Sequence, residues 1–232
     1  LKTEYTLKST LKATVQSSVY LYQKNDSAKQ IVKISQKNRN DHVLRRLRGQ
    51  LHKNTATIYE VCSNDEDVTV LEEYISGATL RHIVEANGGT LKRELAVKYA
   101  LDICNGLVFI HSLGIIHRDI KPSNIIITEQ GEAVIIDFGI ARLTDDSKYA
   151  DTKNLGTAGY AAPEQFGIYQ SGPVTDIYAV GVLLNELLLG VHPTIDTPKG
   201  KLGKVINKCI MAQMSKRYQN VSELAEVLNK LL

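Results

Sequence analysis

Two short blocks of the sequence carry the residue types that phosphoryl chemistry needs. They are HRDIKPSN at residues 117–124 and DFG at residues 137–139. The Asp119 carboxylate can accept a hydroxyl proton, and the Lys121 ammonium can neutralise a migrating phosphoryl group. Asn124 and the aspartate of the DFG block offer the hard oxygen ligands that Mg²⁺ prefers. The two blocks together predict transfer of a phosphoryl group to a hydroxyl.

Further motifs stand in a fixed order along the chain. GTAGYAAPE occupies residues 156–164, TDIYAVG occupies residues 175–181, and Arg217 follows in SKRY. Upstream, IVK at residues 31–33 lies in a strand-like run. Three-residue strings recur by chance, so the prediction depends on this ordered co-occurrence.

These motifs resemble those of protein kinases: HRD-x-K-x-x-N matches the catalytic loop, DFG the magnesium-binding block and APE the end of the activation segment. The wording GYAAPEQF is similar to that of the eukaryotic-like (Hanks-type) serine/threonine kinases of bacteria. The resemblance spans nearly the whole chain. It implies one kinase domain over residues 1–232, with an N-lobe at about 1–75 and a C-lobe at about 76–232. It also implies that Arg217 pairs with Glu164 of the APE block and that Asp176 begins a buried central helix.

The resemblance implies ATP as the phosphoryl donor and Mg²⁺ as its metal ion. Asp119 would orient and deprotonate the acceptor hydroxyl, with Lys121 beside it. Lys33 would bind the α- and β-phosphates of ATP, and Asn124 and Asp137 would hold Mg²⁺. These five residues form the predicted catalytic and metal-binding set.

Adenine binding is predicted for the hinge, which resembles EYI at residues 73–75. The Glu73 carbonyl and the Ile75 amide and carbonyl would face the base. Glu72 would then be the gatekeeper, a polar residue at a usually apolar position. Apolar walls are expected from three residues whose alternative interpretation is plain core packing, namely Val19, Ile31 and Ile126.

The acceptor class is implied by Lys121 and Thr157, which follow the pattern of kinases that phosphorylate serine or threonine in proteins. Arg118 implies regulation through the activation segment at about residues 140–164, because such an arginine is commonly neutralised by a phosphate there. Candidates for that phosphate are Thr144, Ser147, Tyr149, Thr152 and Thr157. We favour Thr152 and assign Thr157 to substrate positioning.

The sequence departs from the family at two points in its first third. The phosphate-covering loop has the pattern GxGxxG in the family, whereas the matching KATVQS at residues 12–17 has no glycine. Glycines let backbone amides approach phosphates closely, so we expect weaker nucleotide binding. The helix glutamate that would orient Lys33 is also missing, since its expected position falls near Val43. The acids nearby in the sequence are Asp41 and Glu60.

The composition is that of an ordinary globular protein, with 43% hydrophobic residues, 23% charged residues and a net charge of +3. This charge gives no reason to expect nucleic acid as a partner. The three cysteines lack metal-ligand spacing, which predicts free thiols in a reducing compartment. Without a membrane-span-length apolar run or a signal-peptide pattern, the chain is predicted to be cytoplasmic, alone or as the cytoplasmic domain of a membrane-anchored protein. A homodimer remains open, because dimer contacts are common in the family.

The local patterns predict an α+β fold with two lobes. Strands are predicted from β-branched runs at residues 18–22, 30–35, 57–62 and 67–72. Helices are predicted at residues 41–51, 79–85, 92–113, 174–189 and 222–232, the last with Ser222 as its N-cap. We therefore expect a bilobal protein kinase fold with a small β-rich lobe that contains one helix and a larger, mainly helical lobe.

Three functions remain open on the sequence, and a serine/threonine protein kinase is favoured. A pseudokinase that signals by conformation is supported by the glycine-free loop and the missing glutamate. It is opposed by the presence of Lys33, Asp119, Asn124 and Asp137. A small-molecule phosphotransferase of the aminoglycoside-kinase type would share the fold, but the activation segment with Thr157 and the APE block argue against it.

Overall fold

A computed structural model describes residues 4–15, 17–25, 27, 29–37, 41–64, 67–145, 156–166 and 170–232. The chain divides into two compact units, Leu1–Ile75 and Ser76–Leu232, which we call unit 1 and unit 2. Within the described ranges, no helix has both the length and the apolar character to cross a membrane.

Unit 1 is built on an antiparallel sheet of five strands. They are β1 (Tyr5–Ala13), β2 (Ser17–Lys24), β3 (Gln30–Lys37), β4 (Ile58–Ser63) and β5 (Asp67–Glu73). Their order across the sheet is β1-β2-β3-β5-β4. The β-branched residues of β3 and β5 favour this pleated structure because they pack well on its faces. The sequence pattern does not predict β1, because almost all of its side chains are exposed and no apolar alternation marks it.

The register of β3 decides which side chains of unit 1 share a face of the sheet. β3 pairs with β2 and β5 without a bulge, so residues directly opposite each other point to the same side. Val32 lies opposite Glu72, and Lys33 lies opposite Leu71. Along β5, Val70 and Glu72 are buried whereas Leu71 is partly exposed. We call the side with Val32, Val70 and Glu72 the Glu72 face and the other side the Lys33 face.

Helix α1 (His42–Leu47) buries its apolar residues Val43, Leu44 and Leu47. The Asp41 carboxylate at its start accepts hydrogen bonds from Arg45 Nε and from Ser63 Oγ, both at 2.6 Å. The Ser63 hydrogen bond is the main reason that the pKa of Asp41 lies below its ordinary value. Because Ser63 of β4 lies opposite Val68 of β5, these contacts place the start of α1 on the Glu72 face.

The predicted helix at residues 41–51 is wrong at its C-terminal end. Arg48 adopts an extended conformation, with φ −56° and ψ 124°, and forms a parallel bridge with Ile58. The Gly49 amide then donates to the Ile58 carbonyl at 2.8 Å. Pairing with β4 thus replaces the last predicted turn of the helix. The helix that remains contains no glutamate.

Unit 2 is mainly helical. Its helices are α2 (Leu80–Ala86), α3 (Arg93–Ser112), α4 (Pro173–Leu189), α5 (Gly200–Cys209) and α6 (Val221–Asn229). Its short strands are β6 (Gly77–Thr79), β7 (Ile115–Ile116), β8 (Ile125–Thr128), β9 (Ala133–Ile135) and β10 (Arg142–Leu143). β6, β8 and β9 form one small sheet, and β7 pairs with β10. The five-stranded sheet of unit 1 and the helices of unit 2 confirm the predicted bilobal α+β fold.

The core of unit 2 forms around α4, where twelve of its residues are buried. The helix ends because Gly190 takes a left-handed conformation, with φ +68°, that residues with a side chain rarely adopt. The start predicted for α6 is wrong by one residue: the helix begins at Val221, and Asn220 rather than Ser222 is its N-cap. The Asn220 side chain accepts a hydrogen bond from the Glu223 amide at 2.9 Å, which satisfies one of the free amides of the first turn.

Candidate active site

Asp119 lies at the centre of a hydrogen-bonded cluster in the loop between β7 and β8. Lys121 Nζ donates to Asp119 Oδ2 at 2.7 Å, and Thr157 Oγ1 donates to Asp119 Oδ1 at 2.7 Å. The Lys121 ammonium also donates to Thr157 Oγ1 at 2.6 Å. The structure therefore brings together the three side chains that the sequence assigns to proton transfer, charge neutralisation and substrate positioning.

Asn124 belongs to the same cluster. Its Nδ2 donates to the Asp119 backbone carbonyl at 2.9 Å and to Asp119 Oδ2 at 2.8 Å. The backbone carbonyl of Asn124 accepts a hydrogen bond from the Ile136 amide at 3.0 Å, which joins the catalytic loop to the residue before the DFG block. Since the amide nitrogen makes the contacts to Asp119, the Oδ1 oxygen is the atom that can serve as a ligand.

Arg118 and Asp137 have positive φ angles, of 65° and 63°, in a region that non-glycine residues seldom occupy. Such positions cost about 1–3 kcal/mol each and persist where the surroundings fix them. The Asp137 conformation is supported by its own carboxylate, whose Oδ1 accepts from the Gly139 amide at 3.0 Å. Strain therefore concentrates in the two blocks that the sequence singles out.

Asp176, at the start of α4, fixes the backbone of the catalytic loop. Its Oδ1 accepts from the Arg118 amide at 2.8 Å and its Oδ2 from the His117 amide at 2.9 Å. His111 Nε2 lies 2.8 Å from the same Oδ2. Burial alone raises the pKa of Asp176, but the hydrogen bond with His111 and the charges and amide nearby bring the pKa below its ordinary value. A buried carboxylate thus anchors two consecutive amides of the loop.

His117 connects the catalytic loop to the DFG block. Its Nε2 lies 3.3 Å from the Ile136 carbonyl, and its ring meets the Phe138 ring edge-on at 5.2 Å between centroids. Its Nδ1 accepts from the Asp119 amide at 3.3 Å, so the histidine donates from Nε2 and is neutral. Complete burial lowers its pKa below the ordinary value, which agrees with that neutral form.

Glu164 and Arg217 form a buried bidentate ion pair, as the resemblance implies. Arg217 Nη1 donates to Glu164 Oε1 at 2.7 Å, and Nη2 donates to Oε2 at 2.8 Å. The Thr175 hydroxyl donates to Glu164 Oε1 at 2.8 Å. Arg217 Nε also donates to the Met211 carbonyl at 2.7 Å. The pair therefore joins the end of the activation segment to the segment before α6.

A second contact of the activation segment cannot be predicted from the sequence. The Tyr160 hydroxyl donates a hydrogen bond to Glu186 on α4, and burial together with this carboxylate raises the pKa of the phenol. Both side chains line a cavity of about 140 Å³ together with Arg81 and Glu85 of α2. Neither residue carries a local pattern, because their partnership spans 26 positions of the sequence.

The structure separates some of the nucleotide-binding residues predicted for unit 1. Val19 lies opposite Ile34 and therefore on the Glu72 face, whereas Ile31 and Lys33 lie on the other face. No carboxylate of the described residues forms an ion pair with Lys33. The expected set of Val19, Ile31 and Lys33 is thus not brought together on one side of the sheet.

The other residues predicted for the nucleotide lie at the ends of strands. Glu73 is the last residue of β5, and its amide donates to the Thr57 carbonyl at 2.9 Å. Ile75 is the last residue of unit 1. Ile126 belongs to β8 of unit 2, where it pairs with Val134. Its side chain is partly buried, as an apolar wall or a core residue would be.

The stretch matched to the phosphate loop forms a tight turn between β1 and β2. The Thr14 amide donates to the Ser17 carbonyl at 2.8 Å, and the Ser17 amide donates to Thr14 Oγ1 at 3.0 Å. These two amides are therefore already hydrogen-bonded inside the turn. In the family loop, by contrast, glycines leave the backbone open to phosphate.

The structure describes only some of the residues that are predicted to take part in regulation. Ser147, Tyr149 and Thr152 lie outside the described residues. The Thr144 amide donates to the Gly114 carbonyl at 2.8 Å, which continues the pairing of β10 with β7. Arg118 is buried, and its Nε donates to the Ile140 carbonyl at 2.7 Å. Arg142 of β10 is buried as well.

Comparison with known proteins agrees with this geometry. The model of the protein kinase domain family matches residues 8–232. A "probable serine/threonine-protein kinase" of Clostridium acetobutylicum is 33% identical over 77% of this chain and 31% of its own length. One of Clostridium perfringens is 31% identical over 83% of this chain and 32% of its own length. PknB of Bifidobacterium longum, named as a probable serine/threonine-protein kinase, is 42% identical over 53% of this chain and 18% of its own length.

This chain thus spans about a third of the length of the two clostridial relatives. The family match covers both units and all the motifs that form the Asp119 cluster, the DFG turn and the Glu164–Arg217 pair. On these grounds the chain belongs to the protein kinase family, as a Hanks-type catalytic domain like those of bacterial serine/threonine kinases.

Proposed function

We propose that this chain transfers the γ-phosphoryl group of ATP to serine or threonine hydroxyls of protein substrates. The observation that carries the proposal is the cluster in which Asp119, Lys121 and Thr157 are within 2.7 Å of one another. Such a cluster can hold a hydroxyl, take its proton and neutralise the charge that develops on the phosphoryl group. The names of the relatives, which are those of serine/threonine kinases, support the acceptor class.

In the proposed reaction the acceptor oxygen forms a bond to the γ-phosphorus while the bond to the bridging oxygen of ADP breaks. Asp119 orients the acceptor hydroxyl and receives its proton. Lys121 faces the negative charge of the transferring group, and Thr157 holds the other oxygen of the Asp119 carboxylate. Because the transition state is loose, positioning and charge account for most of the acceleration.

Asn124 and Asp137 suit Mg²⁺ as the metal ion. Asn124 presents Oδ1, and Asp137 has a second carboxylate oxygen beside the one that accepts from Gly139. No group of three or more His, Cys, Asp or Glu side chains in the described ranges could form an all-protein metal cage. This agrees with Mg²⁺, which is commonly bound by one or two protein oxygens plus phosphates and water. When bound, the ion would neutralise charge on the ATP phosphates.

We propose that ATP contacts the nucleotide-binding residues that the family resemblance assigns. Because the structure shows on which face of the sheet each residue lies, substitutions can test them one at a time. Val19 and Lys33 lie on opposite faces of the unit 1 sheet. Val19→Ala and Lys33→Met should each raise the KM for ATP if both side chains contact it. A variant whose KM for ATP stays at the wild-type value identifies the face that the nucleotide does not use.

Regulation through the activation segment is part of the proposal. The position of Arg118 directly before Asp119 supports it, because a phosphate beside this guanidinium would form charge-assisted hydrogen bonds. Mass spectrometry of the autophosphorylated chain should find phosphate on Thr152. Phosphate found only at other positions would contradict that assignment.

The pseudokinase alternative receives no support from the relatives, which are named as kinases. The glycine-free turn affects the affinity for ATP and leaves the Asp119 cluster intact. The chemistry is tested with Mg-ATP and two peptides that differ only in having serine or tyrosine as the acceptor. We expect phosphate on the serine peptide and its loss when EDTA removes divalent ions. Transfer to the tyrosine peptide alone, or transfer in EDTA, would contradict the proposal.

A further inference from the structure

Helix α5 presents a row of lysines to solvent. Its buried side consists of Leu202, Gly203, Val205, Ile206 and Cys209. Its exposed side carries Lys201, Lys204 and Lys208. These three positions follow the i, i+3, i+7 spacing, so they lie on one face of the helix. The helix contains no acidic residue.

The fold itself does not account for this row. Lysines three and four positions apart on a helix repel each other, and surface helices commonly interleave acidic residues that relieve the repulsion. Neither Lys201 nor Lys204 forms an ion pair with a carboxylate of the described residues. Lys208 is the exception in having an intramolecular role, since its ammonium lies 4.0 Å from the centre of the Tyr218 ring. Lys201 and Lys204 therefore carry positive charge that no carboxylate of the described residues offsets, which favours an anionic partner.

Apolar side chains stand on either side of this row in the sequence. Ile195, five residues before α5, is 74% exposed, and Met211, two residues after it, is 42% exposed. The helix between them is about 15 Å long. Protein interfaces combine apolar side chains with a polar rim, whereas sites for single-stranded nucleic acid combine a basic groove with exposed aromatic side chains. An amphipathic helix that binds a membrane inserts its apolar side, but that side of α5 is buried in unit 2.

We propose that the α5 basic face (Lys201, Lys204 and Lys208, flanked by Ile195 and Met211) docks an acidic segment of a partner protein that carries apolar residues beside its carboxylates. Charge complementarity selects the acidic segment, and the two exposed apolar side chains give it anchors. The inference goes beyond phosphoryl transfer and does not depend on it.

The test measures binding of a fluorescein-labelled polyglutamate peptide with a leucine at each end, by fluorescence anisotropy. Lys201→Glu together with Lys204→Glu should weaken binding about tenfold or more, because two attractive pairs become repulsive. The matched control, Lys92→Glu together with Lys230→Glu, makes the same change of net charge at two exposed lysines elsewhere in unit 2 and should change the Kd by less than about twofold. Asp119→Asn should bind the peptide as the wild type does.

Equal binding by the wild type and the Lys201/Lys204 variant would overturn the proposal. So would tighter binding of single-stranded DNA or of phosphatidylserine vesicles, if the same variant abolished it. Circular dichroism checks that the variant is folded. If the glutamate pair unfolds, Lys201→Gln together with Lys204→Gln replaces it under the same criteria, since this change removes the mutual repulsion of the two lysines.

Discussion

The Thr157 hydroxyl donates a hydrogen bond to Asp119 at 2.7 Å and accepts one from Lys121 at 2.6 Å. One residue of the activation segment thus holds both side chains that the proposed reaction needs. The hydroxyl fixes the Asp119 carboxylate from one side, while Asn124 fixes it from the other. The position of the activation segment is thereby coupled to the geometry of the catalytic loop.

Removing this hydroxyl should lower activity more than stability. We expect Thr157→Val to reduce kcat by about 10- to 100-fold, because the carboxylate loses one of the contacts that orient it. Thr157→Ser keeps the hydroxyl and should retain most of the wild-type rate. Steady-state kinetics with a serine peptide checks both variants. Equal rates for the valine and serine variants would show that the hydroxyl does not position Asp119.

The buried pair of Glu164 and Arg217 should be the most sensitive polar contact in unit 2. Breaking such a pair by removing one partner costs about 3–5 kcal/mol, since the other charge is left buried alone. We therefore expect Arg217→Met to lower the free energy of unfolding by that amount in urea denaturation. Adding Glu164→Gln should restore part of the loss, because the unpaired charge is then gone. A double variant less stable by the full sum of the single changes would contradict the pairing.

The sequence predicts the contacts of unit 2 better than those of unit 1. In unit 2 the chemistry-bearing residues lie in contiguous motifs, so the contacts of Asp119 with Lys121 and Asn124 follow from local spacing. In unit 1 the face occupied by Lys33 depends on strand register, and a shift of one residue moves every side chain to the other side. The alternation within β3 itself, Gln-Ile-Val-Lys-Ile, is too apolar to fix that register.

Contacts between residues far apart in the sequence, and helices without a clear apolar pattern, could not be predicted from the sequence either. The hydrogen bond between Tyr160 and Glu186 has no local signal. The sequence pattern does not predict helix α5, because its two glycines and the preceding Pro-Lys resemble a loop. Its apolar positions pack against α4, where Gly181 leaves room for Cys209. Tertiary packing therefore overrides the low helix propensity of this segment.

Stability should decrease in mild acid because of His117. Burial lowers the folded-state pKa of His117 below its ordinary value of 6.5, so the unfolded chain binds the proton more readily. The free energy of unfolding should therefore fall as the pH drops below the unfolded value, for example from about pH 7 to about pH 5. His117→Phe removes this titration and should show a smaller decrease. Urea denaturation at both pH values checks this, and an equal decrease in the two proteins would contradict it.

The turn between β1 and β2 should limit the affinity for ATP. Thr14→Gly together with Ser17→Gly removes the side chain that engages the Ser17 amide and frees that amide for phosphate. We expect the KM for ATP to fall about two- to tenfold, because one additional hydrogen bond to ATP contributes ~0.5–1.5 kcal/mol of binding free energy. Thr14→Ser keeps the acceptor oxygen and should leave the KM unchanged. A glycine variant with the wild-type KM would show that the amides of this turn do not contact ATP.

The role of Asp119 as proton acceptor is the central claim, and one comparison tests it most directly. Phosphate transfer from Mg-ATP to a serine peptide is measured for the wild type and for Asp119→Asn, with ATP binding determined on the same preparations by calorimetry. We predict that both proteins bind ATP alike and that transfer by the variant is slower by about 10²- to 10⁴-fold. Equal rates of transfer in the two proteins, with ATP bound to both, would contradict the account.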